Sequence, residues 1–158
     1  MAMRIRVIAV GLKPPAWVRD AAHDYAERLP PELRLEWTEV RPDIRGPSGH
    51  PPAWMAAEAH RIREAIPSGA TVVALDEHGD DLTSRGLATR LERWRDRSAP
   101  LAILIGGPDG LDPGLKREAH ERIRLSSLTL PHALVRVVIA EQLFRAWTIL
   151  SNHPYHRD

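Results

Sequence analysis

The pattern of hydrophobic and polar positions changes its period several times along the chain. Strict alternation, or a short apolar run, predicts strands; these are residues 4–10, 33–40, 71–75, 101–105 and 125–130. Apolar residues three and four positions apart predict helices; these are residues 16–29, about 53–66, a segment from 84, a short one from 112 and the segment after Pro131. Five strand–helix pairs in succession predict an α/β domain with a mostly parallel sheet and helices on both faces.

The last helix and the tail after it differ sharply in polarity. From Leu134 to Leu150 the helix is apolar on almost every side, and it is interrupted mainly by Arg136, Glu141, Gln142 and Arg145. A small domain cannot bury all sides of such a helix, so a second chain is expected to pack against its remaining apolar surface. Residues 152–158 (NHPYHRD) are polar and carry two imidazoles, a phenol and a guanidinium. This tail is well placed to reach into a neighbouring site.

Composition narrows the choice of function. A length of 158 residues suits one domain over 1–158, and no apolar run or signal-peptide pattern predicts a membrane segment, so a cytoplasmic protein is expected. The absence of cysteine removes disulfides, thiolate metal sites and cysteine nucleophiles. The net charge of +1 indicates no global attraction to nucleic acid, although Lys13 and Lys116 are the only lysines among 22 basic residues. Arginine suits phosphate and base contacts, but codon bias explains the same excess.

Three loops should converge, because ligands of parallel sheets bind beyond the carboxyl ends of the strands. They follow residues 75, 105 and 130. The glycines of 106–110 (GGPDG) either bring backbone close to a ligand or form a tight turn with Gly110 in a left-handed conformation. Neither a dinucleotide fingerprint nor a P-loop is present.

Other polar segments have a plain structural explanation as well as a functional one. Residues 125–130 (LSSLTL) read as a half-buried strand whose hydroxyls bond locally. Residues 76–81 (DEHGDD) either attract Mg²⁺ or form a solvated loop, and the absence of a ligand spacing favours the loop. His153 and His156 lack a third zinc ligand nearby, so no metal site is predicted.

Four motifs in this order resemble the ribosomal RNA large subunit methyltransferase H family, which belongs to the SPOUT class. The motifs are IGGPDGL from Ile105, LTLPHALVRV from Leu128, EQLFRAW from Glu141 and NHPYHR from Asn152. The resemblance starts at residue 5 and runs to the C-terminus, with residues 41–54 as its weakest part.

This resemblance implies a trefoil knot near the C-terminus, a homodimer through the last helix, and S-adenosyl-L-methionine bound in the knot. The implied cofactor residues, acting largely through backbone groups, are Leu75, Gly106, Leu125, Ser126, Ser127, Leu128, Thr129 and Leu130. The implied substrate is N3 of a pseudouridine in 23S ribosomal RNA, either free, in the large subunit or in the 70S ribosome.

The chemistry of that reaction selects candidate catalytic residues. A uracil-type N3 becomes nucleophilic only when its proton leaves, and no thiolate is needed for methylation at nitrogen. The candidates are His132, Arg145, Tyr155 and His156, with His153, Tyr155 and Arg157 expected to contact RNA. A structural role remains open for His132 as a helix-start residue bonded to backbone, and for Arg145 as the partner of Glu141.

Two alternative functions remain open beside the pseudouridine N3-methyltransferase. One is a SPOUT methyltransferase for another RNA nucleotide, and the other is a non-catalytic ribosome-binding dimer that keeps the fold. Binding of S-adenosylmethionine separates the last from both enzymes.

Overall fold

The computed structural model describes residues 2–11, 13–47 and 49–156. Its strands are β1 (Met3–Val10), β2 (Leu33–Val40), β3 (Thr71–Asp81), β4 (Leu101–Ile105) and β5 (Glu121–Arg124). Its helices are α1 (Ala16–Arg28), α2 (Pro51–Ala65), α3 (Ser84–Asp96), α4 (Pro113–Glu118) and α5 (His132–Leu150). Within the described residues, none of these helices has the length and apolar character needed to cross a membrane.

The strands form one parallel sheet in the order β2-β1-β4-β3-β5. Side chains that alternate along the strands bury two apolar clusters, one on each face. Helices α1, α3 and α5 cover one face through residues such as Tyr25, Leu91 and Leu143. Helices α2 and α4 cover the other face through Ile62 and Leu115. The predicted α/β class, with a parallel sheet between two helical layers, is confirmed; the knot stays a prediction.

The predicted fifth strand is wrong. Residues 121–124 pair with β3, whereas 125–130 leave the sheet as a loop. The Oγ of Ser126 accepts a hydrogen bond from the backbone N–H of Leu128 at 2.9 Å, which is a local turn that competes with extended pairing. The strand that does pair is polar except for buried Ile123, so its own pattern did not identify it.

The acidic segment after residue 75 also differs from the prediction. It continues β3 instead of forming a free loop, with an irregularity that pairs both Leu75 and Asp80 with Ile123. Gly79 allows this close approach, since a Cβ there would lie 2.7 Å from backbone atoms of Arg122 and Ile123. Among the described residues, no group of three or more His, Asp or Glu side chains is placed to hold a metal ion.

Helix α5 lies between α1 and α3, which cover two of its sides within one chain. Ile139, Ala140 and Leu143 are almost completely buried there. A second stripe at positions 134, 137, 138, 141 and 145 follows the helical spacing of three and four, and it stays half-buried. Less apolar surface is therefore left over than the sequence predicted, and this stripe contributes Leu134, Val137 and Val138 to it.

Candidate active site

A cleft of about 800 Å³ opens beyond the carboxyl ends of β4 and β5, beside residues 75–78 of β3. Its walls come from this middle part of β3, the glycine-rich turn after β4 and the loop after β5. All eight residues predicted to bind the cofactor line it: Leu75, Gly106, Leu125, Ser126, Ser127, Leu128, Thr129 and Leu130. His132 and Val135, from the first turn of α5, complete the wall. The sheet order thus gathers residues that lie up to 55 positions apart in the sequence (75 to 130).

The glycine-rich turn is closed by its own backbone. Gly110 has φ +84°, as the tight-turn interpretation predicted, and its N–H donates to the carbonyl of Gly107 at 2.9 Å. A Cβ at Gly106 would lie 2.5 Å from the carbonyl carbon of Gly110 and 2.7 Å from the nitrogen of Leu111. The turn itself therefore requires glycine at position 106. This turn forms one wall of the cleft.

The loop 125–130 forms the opposite wall. Because these residues are outside the sheet, their peptide groups are not committed to a strand ladder. The side chain of Leu128 is 75% exposed, whereas Leu125 packs against the core of the sheet. This wall therefore combines leucine side chains, hydroxyls and uncommitted backbone groups, a mixture of apolar surface and a few polar groups that is typical of small-molecule sites.

His132 occupies the first position of α5 at the base of the cleft. Burial lowers the pKa of its imidazole, and the nearby Arg136 guanidinium lowers it further, while backbone contacts with Val10 and Gly106 act in the opposite direction. Its Nε2 atom is buried and has no hydrogen-bond partner. The imidazole is therefore neutral near pH 7.

Arg136, one turn further along α5, was not singled out by the sequence analysis. It is only 4% exposed, and its Nη1 donates to Oε1 of Glu39 at 2.8 Å. An arginine in the otherwise apolar first half of α5, one turn after a histidine, was the signal that could have identified it, since buried charges are paired. The Arg136 guanidinium lies near His132, but its ion pair with Glu39 is neutral as a whole.

A second polar cluster centres on Glu141, in the middle of α5. Its Oε2 accepts hydrogen bonds from the Tyr155 hydroxyl at 2.7 Å and from Nη2 of Arg145 at 2.8 Å. The Arg145 guanidinium also lies over the Tyr155 ring, 5.0 Å from its centroid. Burial raises the pKa of Tyr155, and so do hydrogen bonds to Glu141 and Tyr25, so the phenol stays protonated. The structure therefore contains the pair that the sequence analysis left open as a structural role for Arg145, its contact with Glu141.

The tail folds back over α5 instead of extending from it. The Tyr155 ring stands edge-on to the Phe144 ring, with the ring centroids 4.6 Å apart. The ring centroids of His153 and Trp147 are 5.6 Å apart. Although the tail is polar in sequence, its Tyr155 is partly buried and packs against the main core. The Nδ1 atom of His156 is buried without a partner. Arg157, the remaining predicted RNA contact, lies outside the described residues.

The two clusters are far apart within one chain. His132 and Arg145 are thirteen positions apart on one helix (132 to 145), which corresponds to about 20 Å at the α-helical rise. The structure therefore brings the predicted cofactor residues together with His132, and it brings Arg145 together with Tyr155. It does not unite the four predicted catalytic residues in a single chain.

The chain is similar to known proteins in both its sequence and its fold. Residues 3–156 match the family model described as predicted SPOUT methyltransferase. The chain belongs to the SPOUT methyltransferase family.

A protein of Bordetella petrii named ribosomal RNA large subunit methyltransferase H is 57% identical over 155 residues, covering 98% of this chain and 99% of that protein. A protein of the same name from Verminephrobacter eiseniae is 55% identical over 156 residues, covering 99% and 100%. The resemblance noted in the sequence is thus confirmed.

Solved structures agree with the SPOUT fold. A probable methyltransferase from Bordetella pertussis Tohama I superposes with a TM-score of 0.56 at 18% identity, covering 91% of this chain and 96% of that one. A probable methylase family protein from Haemophilus influenzae Rd KW20 gives a TM-score of 0.58 at 14% identity, covering 99% and 70%. At these identities the likeness concerns the fold of this SPOUT methyltransferase and not its substrate.

Proposed function

We propose that this chain uses S-adenosyl-L-methionine to methylate N3 of a pseudouridine in 23S ribosomal RNA, on the large subunit or the assembled ribosome. The relatives that share more than half of its residues along nearly their whole length carry the name ribosomal RNA large subunit methyltransferase H. The observation that carries the proposal is the cleft, whose walls contain all eight residues assigned to the cofactor.

The residues of the cleft suit the proposed cofactor. Its volume, about 800 Å³, falls in the range of small-molecule sites. Leu75, Leu125 and Leu130 offer apolar surface for an adenine, and the backbone of Gly106 and the 125–130 loop offers polar groups. When bound, S-adenosylmethionine supplies an electrophilic methyl group on a sulfonium. The residues of the chain have to orient the base and move the N3 proton.

His132 is the proposed acceptor of that proton. Its lowered pKa keeps the imidazole neutral, and its unpartnered Nε2 is the atom able to take the proton. A general base with a pKa below that of N3–H requires the developing imide charge to be stabilised as well. Arg145 is proposed for that role, since a guanidinium donates to an imide oxygen without losing its own charge.

The separation of about 20 Å along α5 means that Arg145 would have to come from a second chain. When a two-fold axis relates two antiparallel helices, a residue that lies before the axis on one helix faces a residue equally far after it on the other. A two-fold axis near Val138 would therefore bring position 132 of one chain opposite position 145 of the other. The half-buried stripe that includes Leu134, Val137 and Val138 supplies the apolar surface for this contact. The proposed active enzyme is accordingly a homodimer with two composite sites, in which Tyr155, His156, His153 and Arg157 contact RNA from the tail.

The reaction is tested with ribosomes from a strain that lacks the gene. Incubation with the purified protein and S-adenosylmethionine should add one methyl group to a 23S pseudouridine, located by mass spectrometry of nuclease fragments. Methylation of a different nucleotide would favour the alternative SPOUT specificity. Failure to bind the cofactor in calorimetry would favour the non-catalytic ribosome-binding dimer, and either result would overturn the proposal.

The composite site is tested by complementation. His132→Asn and Arg145→Gln should each be inactive alone, because each dimer has two incomplete sites. Mixed and re-equilibrated, they should regain up to about a quarter of wild-type activity, since random exchange makes half of the dimers mixed and each mixed dimer has one intact site. Activity that stays at background in a verified mixed dimer would place both residues in a single-chain site.

A further inference from the structure

The segment between β2 and α2, residues 41–50, is attached to the cofactor cleft by one arginine. The guanidinium of Arg45 lies where this segment, helix α2 and the glycine-rich turn meet. Its Nη1 donates to the carbonyl of Asp43 at 3.1 Å and lies 2.9 Å from Oε2 of Glu58. Its Nε donates to Oδ2 of Asp109 at 3.1 Å. One side chain therefore joins residues 64 positions apart in the sequence (45 to 109).

Glu58 explains why Arg45 is held so firmly. This glutamate is only 2% exposed, and besides Arg45 its carboxylate accepts the backbone N–H of Asp43 at 3.0 Å. A buried carboxylate has to be paired, because an isolated one is strongly disfavoured in the interior. The buried anion thus fixes the guanidinium in one orientation, which leaves its Nε directed at Asp109.

Asp109 is the point at which this arrangement reaches the cleft. It lies in the turn 106–110, and the same Oδ2 also accepts Nε1–H of Trp54 at 2.8 Å. The Trp54 hydrogen bond, followed by that of Arg45, lowers the pKa of Asp109. Beneath the turn, a Cβ at Gly107 would lie 3.5 Å from Nη2 of Arg45. The turn is therefore supported from below by the arginine and from the side through its aspartate.

We infer that Arg45 is a positioning residue that holds the turn 106–110 in the form that receives S-adenosylmethionine. The inference rests on the proposed function, because it concerns the cofactor assigned to this cleft. Residues 41–54, where the family resemblance is weakest, thereby gain a defined role as the outer support of the cofactor site. Arg45 itself contacts neither the base nor the reacting atoms in this assignment.

Arg61 provides a matched control. It anchors the same segment through Asp43, at 2.9 Å from Nη2 to Oδ1, and through the carbonyl of Arg41 at 3.0 Å. The side chains of Arg61 and Arg45 are both 26% exposed, and their aspartate partners are 33% and 34% exposed. Among the contacts of the described residues, those of Arg61 do not include the glycine-rich turn.

The test is calorimetric titration of the purified full-length protein with S-adenosylmethionine, without RNA. Arg45→Gln and Asp109→Ala should each weaken binding about tenfold, because a small displacement of the turn misplaces its ligand groups. The double variant should be no weaker than either single one, whereas independent effects would multiply to about a hundredfold. Arg61→Gln should stay within about twofold of wild type even though it removes a comparable ion pair.

Urea unfolding of each variant measures its stability separately from its affinity for S-adenosylmethionine. If Arg45→Gln does not fold because Glu58 is left unpaired, Asp109→Ala decides the matter, since Asp109 is exposed and the Arg45–Glu58 pair remains. Affinities of Asp109→Ala and of any folded Arg45 variant within about twofold of wild type would overturn the inference. A wild-type protein that binds no S-adenosylmethionine would overturn the proposed function, and this inference with it.

Discussion

The hydroxyl of Tyr155 offers a sharp test of how the tail is attached. Tyr155→Phe removes its bond to Oε2 of Glu141, which is 2.7 Å long, and leaves the ring on Phe144 in place. A hydrogen bond to a charged acceptor contributes about 1.5–3 kcal/mol. Glu141 still accepts from Arg145 after the substitution, so its carboxylate is not left unpaired. The expected loss therefore lies at the lower end, about 1.5 kcal/mol.

Tyr155→Ala should be more costly, because it also removes the edge-to-face contact and uncovers Phe144, which is only 4% exposed. An aromatic pair adds about 1 kcal/mol to the burial of its apolar area, so a total loss of about 3 kcal/mol is expected. Thr89→Val serves as the control for removing a hydroxyl. Its Oγ1 donates to the carbonyl of Arg85 one turn earlier on an exposed helix surface, so almost no change is expected.

The assay is urea unfolding followed by circular dichroism at one fixed protein concentration, since the proposed homodimer would make the apparent stability depend on concentration. With a slope of about 2 kcal/mol per molar urea, Tyr155→Phe should lower the midpoint by about 0.7 M. A midpoint equal to that of Thr89→Val would refute the reasoning, because it would mean that the Tyr155–Glu141 bond is not formed in solution.

Three further predictions concern the turn, the histidine and the tail. Gly106→Val should reduce the yield of folded protein as well as S-adenosylmethionine affinity, because its Cβ would meet the backbone of Gly110 at 2.5 Å; a normally folded variant with wild-type affinity in calorimetry would contradict this. The pKa of His132 is lowered in the folded chain, so its contribution to stability is present above about pH 6.5 and is lost as the pH falls through the folded-state pKa. His132→Asn should therefore lose less stability than wild type between about pH 7.5 and about pH 5.5 in urea titrations, and equal losses would show that the imidazole is not buried as neutral. Removal of residues 152–158 should abolish methylation of ribosomes and also lower the unfolding midpoint, because Phe144 loses its cover; full activity of the truncated protein would remove the tail from the site.

The strands and helices that were predicted well share one property, namely that their signal is local. The strand at 101–105 is apolar throughout, and the start of α4 combines Pro113 in the first turn with Asp112, whose carboxylate accepts the backbone N–H of Leu115 at 3.2 Å. Residues 125–130 were misassigned because apolar and hydroxyl side chains alternate there as they do in a strand. Pairing at the sheet edge depends on β3, which lies more than 40 positions earlier in the chain.

The candidate site was predictable only in part for the same reason. The eight residues proposed to bind the cofactor came from the family resemblance. The structure shows that these distant positions line one cleft, because parallel strands place their carboxyl ends at one edge of the sheet. Neither Arg136 nor Arg45 was identified from the sequence. Their importance depends on the partners Glu39, Glu58 and Asp109, none of which is a neighbour in the chain.

The sequence by itself determined the order of strands and helices, the α/β class and the family, because hydrophobic periodicity and motif order are properties that each segment carries alone. Only the tertiary structure decided that β5 precedes the loop of the cleft, that the tail packs on Phe144, and that His132 lines the cleft while Arg145 contacts Tyr155. These outcomes depend on which strands pair and which buried charges meet. Such contacts join residues far apart in the chain, and their free energies exist only once the sheet and its two helical layers have formed.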